Sequence, residues 1–393
     1  MGSVTISISG DSIISALGFG AAENYTAVKA GHTGLRQYSF PSLPEPFVAS
    51  MIDNEALDRR FAAICEAHDQ FTKPEKAAIL SISDAAKQTP VDLSSPRTVF
   101  IVSTTKGNVH LLENKDCNTD AVYLWHSAAK IAGFFGNTNS PVVISNACIS
   151  GACAQIEAQR RLSSGEFDCA IVTGVDMLSP FIVAGFQSFK ALSANPCRPF
   201  DANHDGLNLG EAAATIVFQR QETSDIRQMT EDRGQEANCQ LVTGAVRNDA
   251  NHISGPSRTG EGSFRALKAV LQSVDTYDIA FINAHGTATV YNDSMEAVAI
   301  ERAGLQNLPV NGLKGCFGHT LGAAGLVESI ISLHALADGV ILPTLGFEHG
   351  DDDLQINVNR SLTPTDKSMF IKMLSGFGGC NAALLFRKTK TAK

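Results

Sequence analysis

Short apolar runs alternate along the chain with longer stretches that are apolar at helical spacing. The short runs predict β-strands at 4–9, 98–103, 142–145, 169–173, 214–219, 279–284, 370–375 and 382–386. The longer stretches predict helices at 61–68, 75–88, 148–164, 262–273, 294–303 and 321–337. Strands separated by helices of this length need crossover connections, so the pattern predicts an α/β fold.

Two small-residue segments resemble each other and begin helices in different parts of the chain. They are Ser-Gly-Ala-Cys-Ala-Gln-Ile-Glu at 150–157 and Leu-Gly-Ala-Ala-Gly-Leu-Val-Glu at 321–328. Each follows a strand-like run and a potentially reactive residue, Cys148 or His319. Small residues at a buried helix start allow another backbone to pack closely. The match favours a duplicated fold, although Gly and Ala are common enough for chance to be the alternative.

The duplication also divides the chain. The polar stretch at 221–238 is predicted to be a connecting loop. We therefore expect an N-terminal half at 1–220, which contains Cys148, and a C-terminal half at 239–393, which contains His319.

Composition excludes several classes of protein. Hydrophobic residues make up 44% and charged residues 18% of the 393 residues, as in soluble, well-packed proteins. The net charge is -9, and no Lys/Arg run resembles a nucleic-acid-binding patch. No apolar run approaches the roughly 18 residues of a membrane helix, and the start of the chain contains Asp11 and lacks the positive region of a signal peptide. The nine cysteines have no Cys-x-x-Cys spacing, which indicates reduced thiols in the cytoplasm rather than disulfides or a zinc site.

Cys148 is the candidate nucleophile. It lies between the strand predicted at 142–145 and the helix that follows, so its side chain occupies a strand-to-helix corner. A helix N-terminus favours negative charge, so we expect the pKa of this thiol to fall toward neutrality. A lone cysteine is more often buried and inert, and the other eight are expected to be of that kind.

Two histidines lie in comparable positions. His285 follows the strand predicted at 279–284, and His319 precedes the second small-residue segment, as Cys148 precedes the first. Each alone is more often a structural residue. Together with Cys148 they suit the condensation of two thioesters, because two neutral imidazole N–H groups can stabilise the enolate left when one thioester loses carbon dioxide. Lys314, five residues before His319, would lower the pKa of an imidazole and keep that ring neutral. The alternative is that Lys314 is an ordinary surface lysine.

A glycine-rich turn, Ser-Gly-Phe-Gly-Gly at 375–379, follows the strand predicted at 370–375. Its glycines can direct backbone N–H groups at a substrate oxygen. Phe377 is its bulky member and could gate a pocket, although a hairpin turn with one core Phe fits the spacing equally well.

These motifs resemble those of the β-ketoacyl-acyl carrier protein synthases of the type I/II class. The matching segments are Asn-Ala-Cys-Ile-Ser-Gly at 146–151, Arg-Pro-Phe-Asp at 198–201, His-Gly-Thr-Ala-Thr at 285–289 with Asp293 and Glu296 beyond it, the run from Lys314 to His319, and Gly-Phe-Gly-Gly at 376–379. They occur in the order and spacing of that family over nearly the whole chain.

The resemblance implies the thiolase fold, an α/β fold of duplicated halves in five layers, α-β-α-β-α. It implies an acyltransferase that condenses an acyl thioester with malonyl-acyl carrier protein by decarboxylative Claisen chemistry. Cys148 would accept the acyl group, His285 and His319 would drive decarboxylation, and Lys314 would orient and tune His319. Glu328 would support Lys314, and Thr287 and Thr289 would hydrogen-bond the phosphopantetheine arm. The backbone N–H groups of Cys148 and Phe377 would form the oxyanion hole, and the Phe377 side chain would also gate the pocket.

The resemblance also implies partners. Substrates would arrive on the phosphopantetheine of an acyl carrier protein, with no metal or redox cofactor, in fatty-acid, polyketide or aryl-polyene-type synthesis. The working protein would be a homodimer, or a heterodimer with a chain-length-factor-like subunit. Lys73 and Lys76, with Lys130 as a weaker candidate, are the basic residues expected to meet the carrier protein.

Several positions depart from the family pattern. Ser375 replaces a Phe that is frequent at the gating loop, Asn146 and Ile149 flank the nucleophile where other residues are more usual, and Cys380 replaces a frequent Thr. We expect Ile149 to narrow the space beside the nucleophile and the gate to be looser. These departures favour secondary metabolism over housekeeping fatty-acid synthesis.

Four competing interpretations fit the motifs less well. The related class that primes synthesis from acyl-CoA pairs Cys with His and Asn, whereas His319 supplies a second His here. Thiolases and cysteine hydrolases have no use for the Lys314-to-His319 segment. A non-catalytic subunit of a heterodimeric synthase usually lacks the active cysteine, so Cys148 argues for catalysis while leaving such a pairing possible.

Overall fold

The computed structural model describes residues 4–116, 118–222, 239–272, 274–351 and 355–389. Its helices are α1 (Ala21–Lys29), α2 (Asn54–Ala62), α3 (Lys73–Ala86), α4 (Leu124–Phe134), α5 (Ser150–Ser163), α6 (Pro180–Ser188), α7 (Glu261–Val270), α8 (Val290–Arg302), α9 (Lys314–Phe317) and α10 (Ala324–Ala337). Its strands are β1 (Val4–Ser15), β2 (Gly18–Phe19), β3 (Arg36–Tyr38), β4 (Phe47–Ser50), β5 (Thr98–Ser103), β6 (Val142–Ile144), β7 (Cys169–Asp176), β8 (Leu209–Gly210), β9 (Ala212–Glu222), β10 (Cys239–Asn248), β11 (Ile279–Asn283), β12 (Pro309–Asn311), β13 (Val340–Ile341), β14 (Asn357–Val358), β15 (Thr363–Pro364), β16 (Met369–Gly376) and β17 (Cys380–Lys388). None of the helices in these ranges is long and apolar enough to cross a membrane.

The strand order repeats between the two parts of the chain. β1, β9, β7, β5 and β6 lie side by side in that order, and β10, β17, β16, β11 and β12 repeat it, with β14 beyond β12. In each set the first two neighbouring pairs are antiparallel and the next two are parallel. The sets meet where β1 pairs with β10 at Ser7 and Gln240. This repeated order agrees with the duplication that the similar segments at 150–157 and 321–328 predict.

Three hydrophobic cores join five layers, because the central core lies on both faces of the middle helix layer. The central core contains α5 and α10, which contact strands of both sets. A second core lies between α2, α3 and α4 and the other face of the first set. A third core lies between α7 and α8 and the other face of the second set. The layers are therefore α-β-α-β-α, as the resemblance implies.

The two central helices cross at their first turns through glycines. A Cβ atom at Gly325 would lie 2.6 Å from the backbone nitrogen of Ala152, and one at Gly151 would lie 3.2 Å from Gly325 Cα. Real Cβ atoms do not approach backbone as closely as 2.6 Å. The small residues of the repeated segments thus allow the helices that carry the reactive corners to touch.

Two local predictions need correction. The helix predicted at 61–68 is wrong, since α2 ends at Ala62; it begins earlier because the Asp53 side chain accepts the Ala56 N–H at its start. The loop predicted at 221–238 lies outside the described residues except for Gln221 and Glu222, which continue β9. The division into halves at 1–220 and 239–393 stays a prediction.

Candidate active site

Three reactive side chains from distant parts of the chain meet in one place. Cys148 Sγ and one ring nitrogen from each of His285 and His319 lie within 4.8 Å of one another. The two imidazole rings are edge to face, with centroids 5.0 Å apart. All three side chains are buried. One substrate carbonyl could therefore contact the sulfur and both rings, since hydrogen-bonding contacts span about 3 Å each.

Cys148 lies at a tight corner between β6 and α5, as its sequence position predicts. Ala147 has a left-handed backbone with φ of 45°, a conformation that costs an L-residue roughly 1–2 kcal/mol. Ser150 Oγ accepts the Asn146 N–H at 2.8 Å and donates to the Ala147 carbonyl at 2.6 Å. These bonds close the turn and hold the sulfur where the Phe377 N–H donates to it.

The thiol of Cys148 ionises less readily than its sequence position predicts. Burial raises its pKa to about 11, although Lys314 and the Phe377 N–H act in the opposite direction. The expected fall toward neutrality is therefore wrong, because loss of hydration penalises the thiolate more than these groups stabilise it. Cys148 is a neutral thiol at neutral pH.

In both imidazoles Nδ1 contacts another group of the chain, which leaves Nε2 as the nitrogen available to face the sulfur. Lys314 Nζ lies 3.3 Å from His285 Nδ1, which must accept because an ammonium only donates. His319 Nδ1 accepts the Leu321 N–H at 3.2 Å. Each neutral ring thus carries its proton on Nε2, and His319 Nε2 is buried without a hydrogen-bond partner among the described residues. Burial, reinforced by the charge of Lys314, holds the pKa of both histidines well below the usual range.

The charged side chains next to the two histidines make other contacts than the sequence predicts. Lys314 contacts His285, at Nδ1 and at the carbonyl oxygen 2.9 Å away, rather than His319, whose pKa it lowers through its charge. Glu328 contacts Lys314 as expected, with Oε1 2.5 Å from Nζ. Its other oxygen accepts from Lys372, which the sequence reasoning did not single out. The available signal was a lone lysine in the apolar run Met-Phe-Ile-Lys-Met-Leu, since lysines are almost never fully buried unless paired.

The three reactive groups line a cavity of about 310 Å³. Thr287 and Thr289 also line it, and their hydroxyl oxygens lie 2.8 Å apart. Ile253 and Tyr291, both 74% exposed, lie in its wall as well, so the cavity reaches the surface. A flexible arm could enter past the two threonines and bring a thioester to the sulfur.

Phe377 closes part of the cavity, in keeping with a gate. It is 38% exposed and packs against Phe186 and Phe189, with ring centroids 6.0 and 5.7 Å apart. Cys380 Sγ donates to the Phe377 carbonyl at 3.3 Å and so contacts this loop. Ser375 lines the cavity and donates to Asn381 Oδ1 at 3.0 Å, so a polar wall replaces the ring that is frequent in the family.

One other expectation is wrong, and the expected docking lysines stay a prediction. Ile149 is fully buried in the central core and does not line the cavity, so it does not narrow the space beside the nucleophile. The lysines expected to meet a carrier protein are engaged within the chain. Their ammonium groups contact carboxylates at 2.6, 2.7 and 2.9 Å in the pairs Lys73–Glu211, Lys76–Asp58 and Lys130–Glu75. A carrier protein would have to compete with these carboxylates for each charge.

The same three donor atoms are the place where a metal ion could be held. Among the described residues, Cys148, His285 and His319 form the one group of three or more Cys, His, Asp or Glu ligands close enough to share an ion. Both imidazole nitrogens that face the sulfur carry protons in the neutral rings, and Lys314 adds positive charge nearby. The donor set therefore fits hydrogen-bond donation to an oxygen better than coordination of a cation.

Comparison with known proteins agrees with this arrangement. The family model described as the beta-ketoacyl synthase N-terminal domain matches residues 6–224, and the corresponding C-terminal domain matches residues 238–348. A putative mitochondrial 3-oxoacyl-acyl-carrier-protein synthase of Schizosaccharomyces pombe is 32% identical over 66% of this chain and 64% of its own length. A putative polyketide beta-ketoacyl synthase 1 of Streptomyces cyaneus is 32% identical over 66% of this chain and 63% of its own length.

The similarity to these relatives thus spans slightly less than two thirds of their length. Among solved structures, the ishigamide ketosynthase/chain length factor superposes with a TM-score of 0.88 at 24% identity, over 98% of this chain and 99% of that one. That likeness concerns the fold. The two domain models together cover most of the sequence, with Cys148 in the first and both histidines in the second. The chain therefore belongs to the β-ketoacyl synthase family and has its α/β thiolase fold.

Proposed function

We propose that the protein is a β-ketoacyl-acyl carrier protein synthase, an acyltransferase that condenses an acyl thioester with malonyl-acyl carrier protein. One observation carries the proposal: two neutral imidazoles direct Nε2–H groups at the space beside a cysteine sulfur, inside a cavity that reaches the surface.

Acyl transfer comes first. The Cys148 sulfur attacks the thioester carbon, the bond from that carbon to the carrier's sulfur breaks, and the thiol proton passes to the departing pantetheine sulfur. Because Cys148 is a thiol at neutral pH, proton loss accompanies attack. The Phe377 N–H, which points at the sulfur, and the Cys148 N–H would stabilise the carbonyl oxygen as it becomes negative.

Decarboxylation and condensation follow. The bond between the malonyl methylene and its carboxylate breaks, carbon dioxide leaves, and the electron pair forms an enolate. His285 and His319 donate their Nε2–H groups to the enolate oxygen. The enolate carbon then attacks the acyl-cysteine carbonyl, the carbon–sulfur bond breaks, and the Cys148 thiolate takes a proton from solvent. Thr287 and Thr289 would bind the pantetheine arm from the cavity wall.

Partners follow from this chemistry. An acyl carrier protein would deliver both substrates to the mouth near Ile253 and Tyr291. A second subunit, either another copy or a chain-length-factor-like protein, would cover the outer edge of β6, which pairs within the described chain with β5 alone. The polar wall at Ser375 supports a polyketide or aryl-polyene-type pathway over housekeeping fatty-acid synthesis. A role as the non-catalytic member of such a pair is the second candidate, supported by the likeness in fold to a ketosynthase/chain length factor structure.

Acyl loading tests the proposal. The protein is incubated with a panel of acyl-acyl carrier protein thioesters, and intact mass with peptide mapping should place one acyl group on Cys148. C148A should load nothing and lose condensation by at least about 10³-fold. C148Q should release carbon dioxide from malonyl thioester without extending a chain.

Cys153, half-buried on the helix that follows Cys148, provides the matched control, because C153A should load normally. A C148Q protein that still elongates acyl chains would refute the covalent role. Absence of loading from every thioester, with or without a co-expressed partner subunit, would favour the non-catalytic candidate.

A further inference from the structure

A second buried lysine lies beside the candidate active site and has no part in the chemistry described so far. Lys372 lies in the middle of β16, between apolar neighbours, and none of its surface is exposed. Its partner across the parallel pairing with β11 is Asn283, two residues before His285. Removing an ammonium from water costs several kcal/mol unless its donors are satisfied, so the contacts of Lys372 need an explanation.

Oxygen atoms surround this ammonium. Lys372 Nζ donates to the Ala284 carbonyl at 3.0 Å, to the Asn283 carbonyl at 3.5 Å, and to a carboxylate oxygen of Glu328. Burial lowers the pKa of Lys372 to about 8 while Glu328 opposes that change, so the charged form predominates at neutral pH. Two backbone carbonyls and a carboxylate are oxygen ligands that suit a small monovalent cation, and the Lys372 ammonium is the cation that contacts them here.

These contacts fix the backbone on both sides of His285. Lys372 holds the carbonyl of Ala284, Lys314 holds the carbonyl of His285 at 2.9 Å, and Glu296 accepts the His285 N–H at 2.7 Å. The loop that follows has a left-handed backbone at Gly286, with φ of 51°, which glycine adopts without strain, and at Ala288, where φ of 59° is strained. Such strain persists only where surrounding contacts determine the backbone.

The ammonium also contributes charge. Lys372 and Lys314 share the single carboxylate of Glu328, which leaves a net positive charge behind both imidazoles. Glu296, on α8, also faces this group, but burial raises its pKa to about 7 and so reduces its negative charge. Positive charge at this place disfavours protonation of His285 and His319 and adds to the effect of their burial.

We propose that Lys372 is a positioning residue for the decarboxylation step, a built-in cation that fixes the peptide before His285 and keeps that imidazole neutral. The inference rests on the proposed condensation and adds a residue to it. Misplacing a reacting group by about 1 Å can cost about 100-fold in rate, so removal of Lys372 should impair the step that uses His285. Acyl transfer to Cys148 does not need that imidazole and should be spared.

The test compares K372A with K367A. Lys367 is the matched control because its ammonium also donates to a β11 carbonyl, that of Ile279 at 3.2 Å, far from Glu328. K372A should load Cys148 with acyl groups as the wild type does but release carbon dioxide from malonyl thioester about 10–100-fold more slowly, with kcat rather than KM affected. K367A should match the wild type in both assays.

Two further measurements distinguish positioning from simple stabilisation. Ammonium or methylammonium should restore part of the decarboxylation by K372A, whereas tetramethylammonium, which cannot donate a hydrogen bond, should not. The His285 imidazole, followed by NMR in folded protein, should titrate at higher pH in K372A than in the wild type. If K372A decarboxylates at the wild-type rate and its His285 titrates unchanged, the inference is wrong. If the wild type neither loads nor decarboxylates, the proposed function fails instead.

Discussion

At the scale of single residues, burial sets the protonation of every reactive group. The same loss of hydration that raises the pKa of Cys148 holds the pKa of His285 and His319 down. Since each group is neutral at neutral pH, the site contains one thiol and two N–H donors rather than a thiolate–imidazolium pair. This state suits an enolate oxygen, which needs donors that become useful only as its charge develops.

The raised pKa of Cys148 predicts its reactivity toward alkylating agents. Because the thiolate is the reacting form, alkylation by iodoacetamide should rise about tenfold for each pH unit from 7 to 10, without a plateau near neutrality. Rates are measured by peptide mapping of the Cys148 peptide, with C148A as the blank. A rate that levels off between pH 6 and 8 would show an activated thiolate and contradict the effect assigned to burial.

At the scale of elements, the crossing of α5 and α10 decides where the reactive corners lie. Cys148 precedes one helix and His319 precedes the other, so the separation of their first turns sets the separation of the two side chains. Glycine is required there because the backbones touch, with Gly151 and Gly325 facing each other. Any side chain at the crossing would push sulfur and imidazole apart.

Gly325→Ala tests this requirement. The added methyl would lie 2.6 Å from the Ala152 nitrogen, so the variant should lose about 1–3 kcal/mol of unfolding free energy. Gly133, an exposed glycine in α4 with open space around it, is the control, and Gly133→Ala should gain up to about 1 kcal/mol. Urea unfolding followed by circular dichroism gives both values. Equal midpoints for Gly325→Ala and the wild type would show that the helices tolerate a wider crossing.

At the scale of the whole molecule, α10 ties the beginning of the chain to its end. His334 on this helix lies 3.0 Å from Asp11 of β1, and Asp338 just after the helix accepts from Tyr25 of α1 at 2.6 Å. These contacts join the first sheet set to the helix that supports the second half of the candidate site. They complement the single strand contact between β1 and β10.

The Asp11–His334 pair predicts a pH-dependent part of the stability. Burial opposes protonation of His334, but the hydrogen bond and charge of Asp11 outweigh it and raise the pKa. A histidine whose pKa is higher in the folded than in the unfolded state stabilises the fold fully below the unfolded-state pKa, about 6.5. This stabilisation is lost as the pH rises through the folded-state pKa. His334→Gln should therefore cost about 1 kcal/mol or less at pH 5.5 and little at pH 8.5. Urea unfolding midpoints of the variant and the wild type at the two pH values measure the difference. An equal loss of unfolding free energy at both pH values would show that the charge of His334 does not stabilise the fold.

The sequence by itself determined the features that depend on local pattern. Apolar runs and helical spacing predicted the α/β alternation, and the repeated small-residue segments predicted the duplication and a close approach of another backbone. The structure shows that this approach is the crossing of the two helices at Gly151 and Gly325. Strand-end positions predicted that Cys148 and the two histidines would meet. These inferences succeed because a residue's place within a strand, helix or turn follows from its near neighbours in the chain.

The tertiary structure alone decided how those residues are charged and supported. The raised thiol pKa, the contact of Lys314 with His285, and the place of Lys372 all depend on segments far apart in sequence. So does the pairing of the lysines expected to meet a carrier protein. Hydration and ion pairing act through space, and a residue's spacing along the chain does not reveal which distant oxygen or ammonium will lie within 3 Å of it.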